Sequence, residues 1–175
     1  PKLAIIQTID IPVIDTYVRL KSKYGEDIQV QVDIHKISHS QVQQVIKELN
    51  HDESVHGIIV QLPLEDTSQT DEIVNSVEPS KDVDGLGKNA ILDPATPMAI
   101  NWLLAGYNVD LKNKNILIVG NGRLVGAPLA RMWRNSHLEV KVVDSSCKDL
   151  SSELCAADII VSATGVPGLI KSEDI

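Results

Sequence analysis

Hydrophobic positions in the first half of the chain recur with two different periods. "KLAIIQT" (2–8) is a short apolar run that predicts a strand. "VIDTYVRLKSKYGED" (13–27) spaces its apolar residues as a helix does, with Ile14, Val18 and Leu20 expected to face inward. "IQVQVDIH" (28–35) alternates like a half-buried strand. "SHSQVQQVIKELN" (38–50) reads as an amphipathic helix, with Ser38 or Ser40 as N-cap and a buried stripe of Val42, Val45, Ile46 and Leu49. "HGIIVQLPL" (56–64) predicts a third strand broken at Pro63, and "TDEIVNSVEP" a short helix ended by Pro79. Strands alternating with helices in this way form parallel sheets with right-handed crossovers.

A stretch rich in Gly, Pro and Asp, "SKDVDGLGKNAILDPATP" (80–97), follows and reads as a loop. "PMAINWLLAGY" then starts a helix with Pro97 near its first turn. Beyond it the pattern resumes: "NILIVG" as a strand, a helix from Leu124 to about Arg134, "EVKVVD" as a strand, a short helix near Leu150 to Ala156, and "DIIVSATG" as a strand. The expected architecture is α/β: two units with parallel sheets, residues 1–97 and 98–175, the second of them a Rossmann-like nucleotide-binding domain. That second unit has only three strands, fewer than such a domain normally uses. The chain also starts at Pro1 without Met and stops at "LIKSEDI", so a fragment incomplete at its C-terminus is expected.

Composition narrows the function. Among 175 residues, 43% are hydrophobic and none is Phe, so the core must be aliphatic. A formal charge of −8 argues against nucleic-acid binding, which needs a basic face. No run is long enough to span a bilayer, no signal peptide is visible, and Cys147 and Cys155 fit neither a disulfide framework nor a metal spacing. The expectation is a cytoplasmic protein without membrane contact. The five histidines show no ligand spacing, so no metal is expected, and His56, just ahead of a strand, reads as structural.

Gly120, Gly122 and Gly126 form G-x-G-x-x-x-G between an apolar strand and a helix, one residue longer than the usual dinucleotide fingerprint. Early glycines permit a tight turn and close approach of a pyrophosphate to the helix N-terminus. Asn121, Arg123 and Val125 belong to the same candidate cofactor loop. Asp144 ends the next strand, where an acidic residue can meet the adenosine ribose; a turn or helix cap explains it equally well. A carboxylate there accepts from a 2′-hydroxyl and repels a 2′-phosphate, which favours NAD over NADP, with Arg123 the one nearby charge opposing this.

Three further features are individually weak. Tyr17 and Lys21, four apart, share a helix face, as surface residues commonly do. Gln61 sits at the carboxyl end of a parallel strand, where α/β proteins bind ligands. Asp82 and Asp84 lie in "KDVDG", and Asp-Gly usually marks only a turn.

Taken in order, "TYVRLK", "VHGIIVQLPL", "KDVDGL", "PATP" and "IVGNGRLVGAP" resemble the methylenetetrahydrofolate dehydrogenase/methenyltetrahydrofolate cyclohydrolase family over nearly the whole chain. The resemblance implies oxidation of 5,10-methylenetetrahydrofolate with NAD(P), then hydrolysis of the methenyl cation to 10-formyltetrahydrofolate. It implies a cleft between the two units, and a homodimer formed through the nucleotide domains. Lys21 would be the catalytic lysine and Gln61 its hydrogen-bonding partner. Tyr17 would stack on the aminobenzoyl ring, and Asp84 would bond the pterin. Thr96 and Ala163, Thr164 and Gly165 would lie near the nicotinamide or its ribose.

Several positions depart from the family pattern. Asn121 and Gly122 replace the Arg-Ser of NADP-using members, and Asp144 with Ser145 replaces a His-Ser pair. Both changes point toward NAD. Ile14 stands where relatives usually carry Ser, which bears on the cyclohydrolase step. "PATP" stands for "PCTP", the loop before it is short, and the family's glycine- and proline-rich folate loop lies outside this sequence. Alternatives are a dehydrogenase with little cyclohydrolase activity, a non-catalytic folate- or nucleotide-binding protein, and another nicotinamide dehydrogenase on the same fold.

Overall fold

The computed structural model describes residues 1–175, which divide into two units, Pro1–Leu92 and Asp93–Ile175. The boundary precedes the expected one at Pro97, because the helix that begins at Ala95 sits wholly in the second unit.

The first unit runs β1 (Lys2–Gln7), α1 (Pro12–Asp27), β2 (Gln31–Lys36), a turn of 3-10 helix at His39–Gln41, α2 (Val42–His51), β3 (Gly57–Val60) and α3 (Thr70–Asn75). Its sheet is parallel with order β2-β1-β3, pairing Ile5 with Ile34 on one side and Ile59 on the other. β1 and β3 are nearly unbroken aliphatic runs because both faces of a parallel sheet are covered. On one face Ala4, Ile6, Ile58 and Val60 pack with Val42, Ile46 and Leu49 of α2 and with Ile73 and Val74 of α3. On the other, Ile5 and Ile59 pack against Ile14 and Val18 of α1. Leu20 is 52% exposed and faces outward, against expectation. Two residues past Val18 is about 200° around a helix, so a stripe through Ile14 and Val18 cannot also include Leu20.

Ser38, one of two expected caps, sits at the N-cap of the 3-10 turn, where its N–H and its hydroxyl both donate to Gln41 Oε1, at 3.1 and 2.9 Å, ahead of α2. β3 ends at Val60, before the cis Leu62–Pro63 peptide bond. His56 accepts the backbone N–H of Lys2 at 3.2 Å, a structural role at the sheet edge.

The second unit runs α4 (Ala95–Gly106), β4 (Ile116–Val119), α5 (Gly126–Asn135), β5 (Val140–Val143), α6 (Leu150–Cys155) and β6 (Ile159–Ser162). Its three parallel strands have order β5-β4-β6, a Rossmann-like arrangement with β4 central. Ile116 and Ile118 pack with Leu129, Ala130 and Trp133 of α5, and Leu117 and Val119 with Leu154 of α6. Trp133 Nε1 donates to Asn101 Oδ1 at 2.6 Å, tying α5 to α4. No helix is long and apolar enough to cross a membrane.

Candidate functional site

In the first unit, three residues far apart in sequence converge. Lys21 projects from α1, whose inner face is fixed by Ile14 and Val18. Gln61 follows β3 directly and still donates its backbone N–H to Ile6 of β1 at 2.9 Å, so its side chain leaves the sheet at a fixed point. Lys21 Nζ donates to Gln61 Oε1 at 3.0 Å, while Gln61 Nε2 donates to the Leu62 carbonyl at 3.1 Å. The second bond orients the amide so that its oxygen meets the lysine.

Asp84 completes the group from the loop after α3. Burial pushes its carboxyl above the ordinary carboxylate value; the positive charge of Lys21 opposes the rise, and the negative charge of Asp82 adds to it. Asp84 thus lies within electrostatic range of Lys21. Tyr17, one turn before Lys21 on α1, is 57% exposed and presents an open aromatic face. Ile14 is buried against Ile5, Val18 and Ile59, so this position offers the site neither a hydroxyl nor an exposed side chain.

The loop carrying Asp84 is held from several sides. Lys81 Nζ donates to the carbonyls of Leu49, Asn50 and Asp52, which end α2, at 2.8–2.9 Å. Asn50 donates to the Ser76 carbonyl and accepts from the Glu78 N–H, and Asn75 accepts from the Lys88 N–H. Asp82 is only 4% exposed, and its carboxylate accepts the backbone N–H groups of Gly85 and Gly87. The sequence reading gave Asp82 no role beyond a turn. Its spacing to two following glycines, D-x-x-G-x-G, is the signal for a carboxylate that collects backbone amides.

In the second unit, the glycine loop links the carboxyl end of β4 to α5. Gly120 has φ +106°, and a Cβ there would lie 2.6 Å from the Ala163 carbonyl oxygen. The loop therefore packs directly against Ala163 and Thr164, at the end of β6. Gly126 starts α5 so close to the Gly120 carbonyl that no side chain fits. α5 begins at Gly126 and not at Leu124, because Val125, with φ −134° and ψ −66°, is not helical. Around Gly122 the space is open, and Asn121 and Arg123 beside it are exposed. The N-cap residue of α5, Val125, supplies no side-chain hydrogen bond to the helix start. In the first turn of α5 the Ala127 N–H donates to the Gly122 carbonyl at 3.1 Å and Pro128 carries no N–H, so it is the Gly126 N–H, behind the open glycine, that is placed to meet a pyrophosphate. Thr96 is exposed in the first turn of α4, and Gly165 is exposed with φ +66°.

Asp144 stands at the carboxyl end of β5 with Ser145, both exposed. Its Oδ1 accepts from the Ser146 hydroxyl at 2.6 Å and the Ser146 N–H at 2.9 Å, which hold the carboxyl below its ordinary value. The turn-forming role is therefore real, and it occupies only one carboxylate oxygen.

Comparison with known proteins covers both units. Residues 1–84 match the catalytic domain, and residues 94–175 the NAD(P)-binding domain, of tetrahydrofolate dehydrogenase/cyclohydrolase. The bifunctional protein FolD of Campylobacter jejuni is 37% identical over 185 aligned residues, covering 98% of this chain. This chain spans only 66% of that relative's length. The crystal structure of the Campylobacter jejuni FolD enzyme superposes with a TM-score of 0.91 at 36% identity, covering 99% of this chain and 67% of that one. The Trypanosoma brucei methylenetetrahydrofolate dehydrogenase-cyclohydrolase, solved with NADP and an inhibitor, gives a TM-score of 0.92 at 29% identity, covering 100% and 65%. With both units matched in order by the two domain models, the chain belongs to the tetrahydrofolate dehydrogenase/cyclohydrolase family.

Proposed function

We propose that this protein oxidises 5,10-methylenetetrahydrofolate to the 5,10-methenyl cation with NAD(P), and hydrolyses that cation to 10-formyltetrahydrofolate. The observation that carries the reading is the Lys21–Gln61 hydrogen bond, made between α1 and the residue that follows β3, with Asp84 of the loop after α3 within electrostatic range of Lys21.

The bound dinucleotide supplies the hydride acceptor. In this reading Gly120, Asn121, Gly122, Arg123, Val125 and Gly126 hold its pyrophosphate, Asp144 and Ser145 meet the adenosine ribose, and Thr96, Ala163, Thr164 and Gly165 border the nicotinamide end. Asp84 anchors the polar edge of the pterin, and Tyr17 stacks on the aminobenzoyl ring. Holding the one-carbon group in line for transfer is worth several kcal/mol of barrier.

Hydride loss leaves a delocalised cation on the folate, which a permanent positive charge alongside would oppose. In this reading Lys21, held by its hydrogen bond to Gln61, is the proton acceptor. A water adds to the methenyl carbon while Lys21 accepts a water proton. The bond from that carbon to N5 then breaks as the new hydroxyl gives up its proton and becomes the formyl C=O; N5 takes one of the two protons, the other leaves to solvent, and 10-formyltetrahydrofolate forms. No hydroxyl comes from Ile14, buried in the core. That favours a second reading, in which dehydrogenation outpaces hydrolysis and methenyl product accumulates.

Asp144 keeps one carboxylate oxygen without a side-chain or backbone partner, and Asn121–Gly122 offers no arginine for a 2′-phosphate. Both support NAD over NADP. A homodimer through the nucleotide-binding unit and a cytoplasmic location complete the proposal. The test is absorbance-monitored oxidation of 5,10-methylenetetrahydrofolate with NAD and NADP in parallel, followed by acid conversion to methenyl product. Folded protein that forms no product with either cofactor overturns the reading.

A further inference from the structure

We propose that Asp82 is a positioning residue for folate: its buried carboxylate shapes the turn that carries Asp84 to Lys21 and Gln61. The proposal rests on the folate reading above.

Asp82 is among the few buried charged groups of the chain, at 4% exposure. It makes no salt bridge. Instead Oδ1 accepts the Gly85 N–H at 3.0 Å, with Leu86 N–H at 3.4 Å, and Oδ2 accepts the Gly87 N–H at 2.7 Å. Amides donated to a carboxylate are stronger than neutral pairs, so the segment from 85 to 87 is wrapped around this one group. Asp82 is itself fixed to the sheet. It forms an isolated parallel bridge with Ile58 of β3, and the Ile58 N–H donates to the Lys81 carbonyl at 2.7 Å. β3 is also the strand that delivers Gln61. The sheet thereby sets both ends of the site: Gln61 directly, and Asp84 through the Asp82 turn.

Gly87 bears on the same point. A Cβ there would lie 2.9 Å from Asp82 Oδ2 and 3.2 Å from the Val74 carbonyl, so the loop closes on the carboxylate only without a side chain. The charged groups acting on Asp84 are Lys21 of α1 and Asp82 of its own loop. Asp82 thus has two effects on Asp84, one geometric and one electrostatic.

The test uses the full chain carrying Asp82→Asn, Asp84→Asn and both together. Asp82→Asn should raise KM for 5,10-methylenetetrahydrofolate roughly tenfold to a hundredfold, the range expected when a charge-assisted set of hydrogen bonds is weakened. KM for the dinucleotide, bound in the other unit, should stay within twofold. General misfolding would instead lower kcat and leave both KM values alone. In the Asp84→Asn background the further change from Asp82→Asn should largely vanish, because the two act as one unit. An unchanged folate KM, or the same loss in both backgrounds, overturns the proposal. If Asp82→Asn does not fold, Gly87→Ala, which forces the loop off an intact Asp82, should give the same KM split, and an unchanged folate KM there overturns it equally. If the wild type does not turn over the folate, the functional reading has failed on its own. Asp82 is then judged by the NMR titration of the Asp84 carboxyl carbon: a lower midpoint in Asp82→Asn supports the coupling, and an unmoved midpoint overturns it.

Discussion

Lys21 and Gln61, forty positions apart in the chain, are joined by a 3.0 Å hydrogen bond from Nζ to Oε1. The bond spans from the middle of α1 to the carboxyl end of β3, and it presents the lysine with an acceptor that carries no charge. A carboxylate in place of Gln61 would set a charge against Lys21 where the structure has a neutral amide. Lys21→Met should abolish hydrolysis of methenyltetrahydrofolate, a loss of about a hundredfold to ten-thousandfold for a general base. Dinucleotide affinity should be nearly unchanged. Gln61→Glu, which puts a charged acceptor where the structure has a neutral amide, should slow hydrolysis. A methenyl decay assay across pH, with a fluorescence titration of the dinucleotide, checks all three; full hydrolysis by Lys21→Met removes the lysine from the mechanism.

Asp84 illustrates a site residue held against its own solvation. Burial, opposed by Lys21 and reinforced by Asp82, raises its folded pKa above the ordinary 3.8. A carboxyl with a raised folded pKa binds its proton more tightly in the native state. Its ionisation therefore costs stability above the folded pKa, and the cost disappears once pH falls below about 3.8, where both states are protonated. Asp84→Asn should melt higher than wild type at neutral pH, lose that advantage below about pH 3.8, and bind folate more weakly. Melting curves across pH test this. A difference that is independent of pH places its origin in something other than the carboxylate charge.

In the proposed reading, cofactor choice turns on Asp144. Its Oδ1 organises the turn with Ser146, so a substitution there changes both shape and charge. Asp144→Asn keeps an acceptor for the turn and removes the charge; Asp144→Ser shortens the side chain as well. Both should raise the ratio of NADP to NAD turnover, by about tenfold if the repulsion of a 2′-phosphate is worth ~1.4 kcal/mol. Parallel assays with the two dinucleotides decide it. If neither substitution shifts the ratio, Asp144 lies away from the ribose.

The six strands and their parallel pairing were legible in the sequence because aliphatic runs such as "LAII" and "NILIV" must be covered on both faces. Lys21, Gln61 and Asp84 could be named from motifs, but nothing in one-dimensional spacing shows a hydrogen bond across forty residues. Leu20 was misplaced because an apolar residue on a helix is easily counted as core without checking its angle to Ile14 and Val18. Asp82 escaped notice for the opposite reason: its partners are backbone N–H groups, and its spacing to Gly85 and Gly87 was read only as an ordinary turn. The network of Gln7, Asp10, Asp15 and Lys36 was hidden likewise, since it depends on how the ends of β1 and β2 meet the start of α1.

That network makes the last prediction. Gln7, 2% exposed, donates through Nε2 to the Ile9 carbonyl, Asp10 Oδ1 and Asp15 Oδ1, and Lys36 Nζ lies 2.8 Å from Asp10 and 3.1 Å from Asp15. Together they tie the loop between β1 and α1, where the N-cap residue Ile11 offers no side-chain bond of its own. The Gln7 hydrogen bond, followed by Lys36, holds the Asp15 carboxyl below its ordinary 3.8, while Asp10 and Asp15 raise Lys36 above 10.5. For Asp15 the folded pKa is depressed, so its contribution is present above about 3.8 and is lost as pH falls through the folded value. For Lys36 the folded pKa is raised, so its contribution holds below about 10.5 and is lost as pH rises through the folded value. Asp15→Asn, which keeps an acceptor for Gln7 but not the charge facing Lys36, should therefore melt below wild type only between these limits. The gap should be small and shrink in high salt, because the groups are exposed and screened. Melting temperatures at acid, neutral and alkaline pH, with and without salt, measure it. A gap that survives in strong acid means that Asp15 acts through geometry and not through its charge.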